Sequence, residues 1–264
     1  MAHPPSPQFD IIRAITNGYR FVITQKNILL KLALVPIFTH FICTSFVSFM
    51  REDASPFEQF LWMIPAHITS AWYVFLLVRA LAFGETIRTH ITAPVEILRF
   101  QNAMRLSIIT SLLISMVITS LWSLRLMLKD GAEPTVTQGY IAFIIMLFVL
   151  WAVRYTLLPI AAALGENLLQ FTKQIKGVMI SVNVIATSAI ASFPVFIAYV
   201  LITFILLSLP VFREISADKT ALANHTLFML SQNLITGIVN IAISTFTTAA
   251  LAFGVLDMMK GGKK

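Results

Sequence analysis

The chain has 264 residues, of which 58% are hydrophobic and 12% charged, with a mean hydropathy of +0.84. A water-soluble domain cannot bury that much apolar surface in one core, so the composition excludes that class. The net charge of +7 is scattered beside apolar runs rather than gathered in a patch, which excludes nucleic acid as the partner and points to anionic lipid headgroups.

Residues 1–27 read as a cytoplasmic N-terminal segment. Residues 1–10 carry neither a basic n-region nor a cleavage site, so no signal peptide is expected, and no lipidation motif is present. Over 9–26, Ile12, Ile15, Tyr19 and Val22 recur at helical spacing, opposite a stripe of Asp10, Arg13, Asn17, Arg20 and Thr24. That pattern predicts an amphipathic helix lying in the membrane interface.

Residues 28–257 read as one transmembrane domain and 258–264 as a basic tail. Six apolar runs lie at 28–50, 57–83, 106–128, 140–165, 186–209 and 227–255. Each meets the roughly 20 residues that a spanning helix needs. Strict apolar/polar alternation is absent, so the expected fold is an all-α integral membrane protein with six transmembrane helices, not a barrel. Pro36, Pro65, Pro159 and Pro194 fall inside these runs and predict kinks. Loops at 51–56, 129–138 and 210–225 are too short for a soluble domain.

Further interfacial helices are expected after the second span, starting at Thr92 and Pro94 with Val95, Leu98 and Ala103 on the apolar side, and at 166–177 after the fourth. Spans two, four and six end in similar words: 80–84 (Ala-Leu-Ala-Phe-Gly), 161–165 (Ala-Ala-Ala-Leu-Gly) and 250–254 (Ala-Leu-Ala-Phe-Gly). Small residues permit close helix approach, and a final glycine suits a helix C-terminus. The implied organisation is an interfacial helix followed by a helical hairpin, used three times.

Basic residues set the orientation. Eleven Lys and Arg fall on the side of the termini and four on the other. By the positive-inside rule both termini are expected in the cytoplasm.

No catalytic motif is present, and no cofactor is implied. Cys43 is the single cysteine, so a disulfide within the chain and a cysteine zinc site are excluded. The histidines are dispersed, giving no metal-ligand spacing; His40 and His67 fall within the first two spans. Charge at membrane depth is costly and marks candidate sites. Lys31 and Arg125 lie near span ends and Arg79 about 7.5 Å from Gly84 along the helix, all within snorkelling reach, whereas Arg154 lies about 16 Å from Gly165 along the helix, near mid-depth. Arg154, with Arg79, is therefore the candidate anion-binding group or a clamp on helix-end carbonyls. Asn183, Asn233 and Asn240, with His40 and His67, are the supporting polar groups. No carboxylate lies mid-span, which disfavours ion-coupled transport.

Within 152–166, Arg154, Leu157 and Pro159 resemble a pattern of bacterial six-span membrane proteins, including the YciC-like family and the membrane domain attached to some glycerophosphodiester phosphodiesterases. The opening is similar too, with an interfacial helix leading through Asn27 into a span with Pro36. The resemblance implies a fold and a bacterial membrane, not an activity.

The functional expectation is a non-enzymatic accessory, scaffold or lipid-interacting component. Its partners would be membrane lipids, with a membrane protein or a second copy of the chain also suiting the small-residue faces. The alternative is a transporter or channel for a small anionic or lipidic substrate, with a polar cavity reaching Arg154.

Overall fold

A computed structural model describes residues 9–50, 56–84, 94–127, 136–208 and 226–261. For 50, 56, 115–127, 136–138, 227 and 260–261 it describes the backbone alone. The loops at 51–55, 129–135 and 210–225, the Thr92 helix start and the Arg125 side chain lie outside the described residues.

Every described element is helical. In chain order they are α1 (Ile11–Thr24), α2 (Lys26–Met50), α3 (Pro56–Trp62), α4 (Ile64–Phe83), α5 (Pro94–Met127), α6 (Val136–Ala152), a 3-10 turn (Val153–Thr156), α7 (Leu157–Leu164), α8 (Leu168–Gln174), α9 (Val178–Ser208) and α10 (Thr226–Gly261). Five stretches are long and apolar enough to cross a membrane: Lys26–Phe49, Ile64–Phe83, Gly139–Leu164, Val178–Ser208 and Phe228–Met259. The chain is therefore built as a multi-pass membrane protein. The expected third span at 106–128 lies partly outside the residues with described side chains.

Two of the four prolines begin new helices and two lie within one. Pro65 stands in the first turn of α4, after α3 ends at Trp62, and Pro159 is the third residue of α7. Proline offers no N–H and its ring crowds the carbonyl four residues back, here Leu61 or Tyr155. The helices yield at Met63 and in the 3-10 turn, and each proline starts the next segment, where its missing donor is not needed. Pro36 and Pro194 remain inside α2 and α9.

Helix ends follow the local chemistry. Asp10 caps α1 by accepting from the Arg13 N–H at 3.1 Å, and the Asn167 side chain accepts from the N–H groups of Leu169 and Gln170 to start α8. Gly84 and Gly165 close α4 and α7 in the left-handed conformation, at φ 61° and 80°. Gly254 departs from this pattern because α10 runs on through Gly261. A Cβ there would meet the Phe9 ring at 2.2 Å, so the glycine makes room for a side chain instead of ending a helix. The segment after the second span departs as well: from Pro94 onward it is one continuous helix, α5, rather than a separate interfacial piece.

The core sits at the end of the bundle where α4, α7 and α10 approach their C-termini. Tyr73, Phe75, Leu77 and Val78 of α4 pack there with Leu157 and 159–164 of α7 and 249–252 of α10. α1 closes over this end. Its most buried residues are Ala14, Gly18 and Val22, and Tyr19 donates to the Ala191 carbonyl and stacks on Phe246, while Ile12 is exposed, so the docked face shares Tyr19 and Val22 with the stripe read from the sequence and is rotated towards the small residues. A Cβ on Gly18 would lie 2.8 Å from the Ala250 nitrogen; α1 meets α10 backbone to backbone. By contrast α6 and α9 expose Phe143, Ile144, Phe193 and Phe204, as lipid-facing helices do.

Candidate functional site

Three helices carry polar side chains at the same spacing on one face each. On α4 they are His67 and Ser70, continued by Ala71 and Val74. On α5 they are Ser107, Thr110 and Ser111, continued by Ile114. On α10 they are Asn240, Ser244, Thr247 and Thr248. Steps of three and four residues stack side chains on one side of a helix, so each set forms a stripe. The stripes face one another across a cleft of about 460 Å³, completed by Val153, Thr156, Pro159 and Ile160 before and within α7 and by Ser188 of α9.

The cleft has direction. Asn240 and Ile114 at one end are exposed, whereas Pro159, Ile160 and Leu251 at the other are buried in the core. From Asn240 to Leu251, α10 rises about 16 Å, half of the roughly 30 Å hydrocarbon core. The cleft is thus a half-membrane recess with an apolar floor.

Its chemistry is hydroxyl-rich and uncharged: among the described residues no Asp, Glu, Lys or Arg lines it. Thr110 and Thr156 donate to the Leu106 and Val153 carbonyls at 2.7 and 2.6 Å, the usual back-bond of a helix hydroxyl, and keep lone pairs to accept with. The Thr247 Oγ1 is buried without a hydrogen-bond partner among the described residues. In an apolar surround an unpaired hydroxyl costs about 1–3 kcal/mol.

The arginines lie apart from this cleft. The Arg154 guanidinium donates to the Lys176 carbonyl at 2.6 Å, in the turn between α8 and α9, and lies 5.3 and 5.2 Å from the Trp151 and Tyr155 ring centroids. The acceptor belongs to the turn before α9, and the Arg154 Nε is buried without a hydrogen-bond partner among the described residues. Its neighbours Val153 and Thr156 face the cleft while Arg154 does not. Arg79 bonds Glu96 of α5 at 2.7 Å, with the Phe83 ring centroid 5.1 Å away. Half-buried Arg99 lies over the C-terminal turn of α7, where a Cβ on Gly165 would meet its guanidinium at 2.6 Å. A cation there opposes the negative end of the helix dipole.

Of the supporting polar groups, His67 and Asn240 line the cleft. Asn233 donates instead to Ser45 and Ser48 of α2 at 3.3 and 3.4 Å. His40 faces Gly237 of α10, and Asn183 is half-buried on α9 outside the cleft lining. Among the described residues no three His, Cys, Asp or Glu side chains gather as a metal site. The hydroxyls of the cleft escaped a reading that weighed only charge, histidine and asparagine, yet their spacing is in the sequence: Ser107, Thr110, Ser111 and Asn240, Ser244, Thr247 repeat at three and four.

Comparison of the chain with protein-family models, with curated proteins and with solved structures gives no match.

Proposed function

We propose that the chain is a non-enzymatic, lipid-interacting membrane protein that holds the uncharged polar part of an amphiphile in the α4–α5–α10 cleft. The observation that carries this is the convergence of hydroxyl stripes from three helices on one recess. Binding a charged group there would leave it without a counter-charge, at a cost of several kcal/mol, so the buried part of the ligand is neutral. This supports the lipidic over the anionic substrate, with its ligand away from Arg154. The described small-residue contacts, Gly18 on Ala250 and Gly237 on α2, are used within the chain, which shifts weight from a scaffold to a lipid-binding role. Six spans in a bacterial inner membrane with both termini cytoplasmic belong to the same proposal, supported by the charge asymmetry and by the resemblance around Arg154, Leu157 and Pro159. The cleft would then open towards the outer side.

The test is extraction into native nanodiscs without detergent, followed by mass spectrometry of the retained molecules. Wild type should hold a neutral amphiphile that Ser107→Leu and Ser244→Leu lose and Arg154→Leu keeps. An anionic molecule lost on Arg154→Leu alone would replace this reading with the anion site. Equal retention in all variants would end it.

A further inference from the structure

A second recess lies on another face of α10 and has the opposite chemistry. It is a groove of about 230 Å³ between α2 and α10, roofed at one end by Val22 of α1. Its walls are Leu29, Leu30, Ala33 and Ile37 on one side and Ile238, Ile241 and Ala242 on the other. The polar groups of its floor satisfy each other, since the Tyr73 hydroxyl and the Thr245 hydroxyl are 2.8 Å apart and Thr245 also donates to the Ile241 carbonyl. The interior therefore offers a ligand only dispersion and burial. One charged side chain, Lys26, lines it, at the end where α2 begins.

The groove has the length of one leaflet and the volume of part of one lipid chain. From Lys26 to Ile37 the α2 axis rises about 16 Å, close to half of the roughly 30 Å hydrocarbon thickness. The volume corresponds to about eight water-sized units at roughly 30 Å³ each, a comparable number of methylenes. The groove is open sideways, because Leu30 is 63% and Ile238 46% exposed, so a chain can enter from the bilayer. Lys26 is exposed at the mouth, and Arg20 of α1 is exposed nearby in sequence.

The geometry points to an anionic-phospholipid site: one acyl chain lies in the α2–α10 groove and the phosphate of its headgroup pairs with the Lys26 ammonium. The charge complementarity at the mouth selects an anionic lipid over a second copy of the chain, whose basic rim would repel Lys26. The site is separate from the hydroxyl cleft and does not depend on the ligand proposed there.

The full chain is reconstituted in nanodiscs of phosphatidylcholine with a minor fraction of phosphatidylglycerol, and native mass spectrometry counts the lipids that remain as the complex is stripped. Wild type should retain phosphatidylglycerol preferentially. Lys26→Gln should reduce that preference about fivefold, Lys26→Arg should keep it, and Lys173→Gln, on α8, should leave it unchanged. Ala242→Phe fills the groove and should abolish retention of either lipid there. Leu30→Asn, at an exposed position that does not threaten folding, should weaken it. Equal losses from Lys26→Gln and Lys173→Gln would reduce the effect to a general basic surface and overturn the site. So would full retention in both groove variants, or a dimer that occupies the groove in place of lipid.

Discussion

Two stretches of α10 are built from similar small residues and do opposite things. Around 249–255 the helix is buried against α1, with Gly18 on Ala250 and Phe9 under Gly254. One to two turns earlier, Asn240, Ser244 and Thr247 face an open recess of about 460 Å³. Alanine and glycine let backbones touch and leave no space, whereas serine, threonine and asparagine stand off and need partners. Close packing there fixes the bundle; loose packing here leaves room for a ligand.

That contrast predicts a graded response to substitution. The largest loss of stability should come from Gly18→Leu, because the obstacle is backbone and cannot move aside. Overpacking of about 3 kcal/mol is expected, seen as a lower unfolding temperature in micelles and faster proteolysis before α2. Gly254→Ala should cost under about 1 kcal/mol, since the Phe9 ring it meets can swing away; a loss as large as that of Gly18→Leu would show Phe9 to be as fixed as the α10 backbone.

Arg79→Leu should come next, at about 2 kcal/mol. Removing one partner of a fully buried pair costs about 3–5 kcal/mol and an exposed pair less than about 1, and Glu96 is 35% exposed. The double variant Arg79→Leu/Glu96→Leu should recover part of that loss in the same unfolding assay. If the double variant is as unstable as the sum of the singles, the two side chains do not act as a pair.

Arg154→Leu should cost about 1–2 kcal/mol through the lost bond to the Lys176 carbonyl, with retained ligand unaffected. The smallest effect on stability belongs to the cleft. Ser107→Leu and Ser244→Leu should stay within about 0.5 kcal/mol of wild type while changing what the protein retains. Destabilisation of either by several kcal/mol would mean that the recess is packed core rather than a binding site.

Much of this architecture was legible in the chain. Apolar run length gave the helical membrane class because an unpaired backbone cannot be tolerated in hydrocarbon. Gly84 and Gly165 marked helix ends because the lack of a side chain acts on the local backbone. Gly254, in the same five-residue word as Gly84, was not separable from it. Its role depends on Phe9, some 245 positions away in sequence, and no local rule carries that. The candidate site was half legible: the depth of Arg154 marked it as costly, and its partner is a carbonyl, which every residue has and composition cannot flag. The hydroxyl spacing was present in the sequence but ambiguous, because serine and threonine in membrane helices usually satisfy themselves on the preceding turn.

The sequence by itself determined that the chain is helical, multi-pass in build and asymmetric in charge, since these follow from summed transfer energies and from signals local to each helix. Only the tertiary structure decided that α1 docks through Ala14 and Gly18 beside Tyr19 and Val22, that Arg79 meets Glu96 and Arg154 the Lys176 carbonyl, and that three polar stripes meet. Each of those outcomes depends on which faces of separate helices are brought together, and a stripe on one helix is a binding wall only when another helix supplies the opposite side.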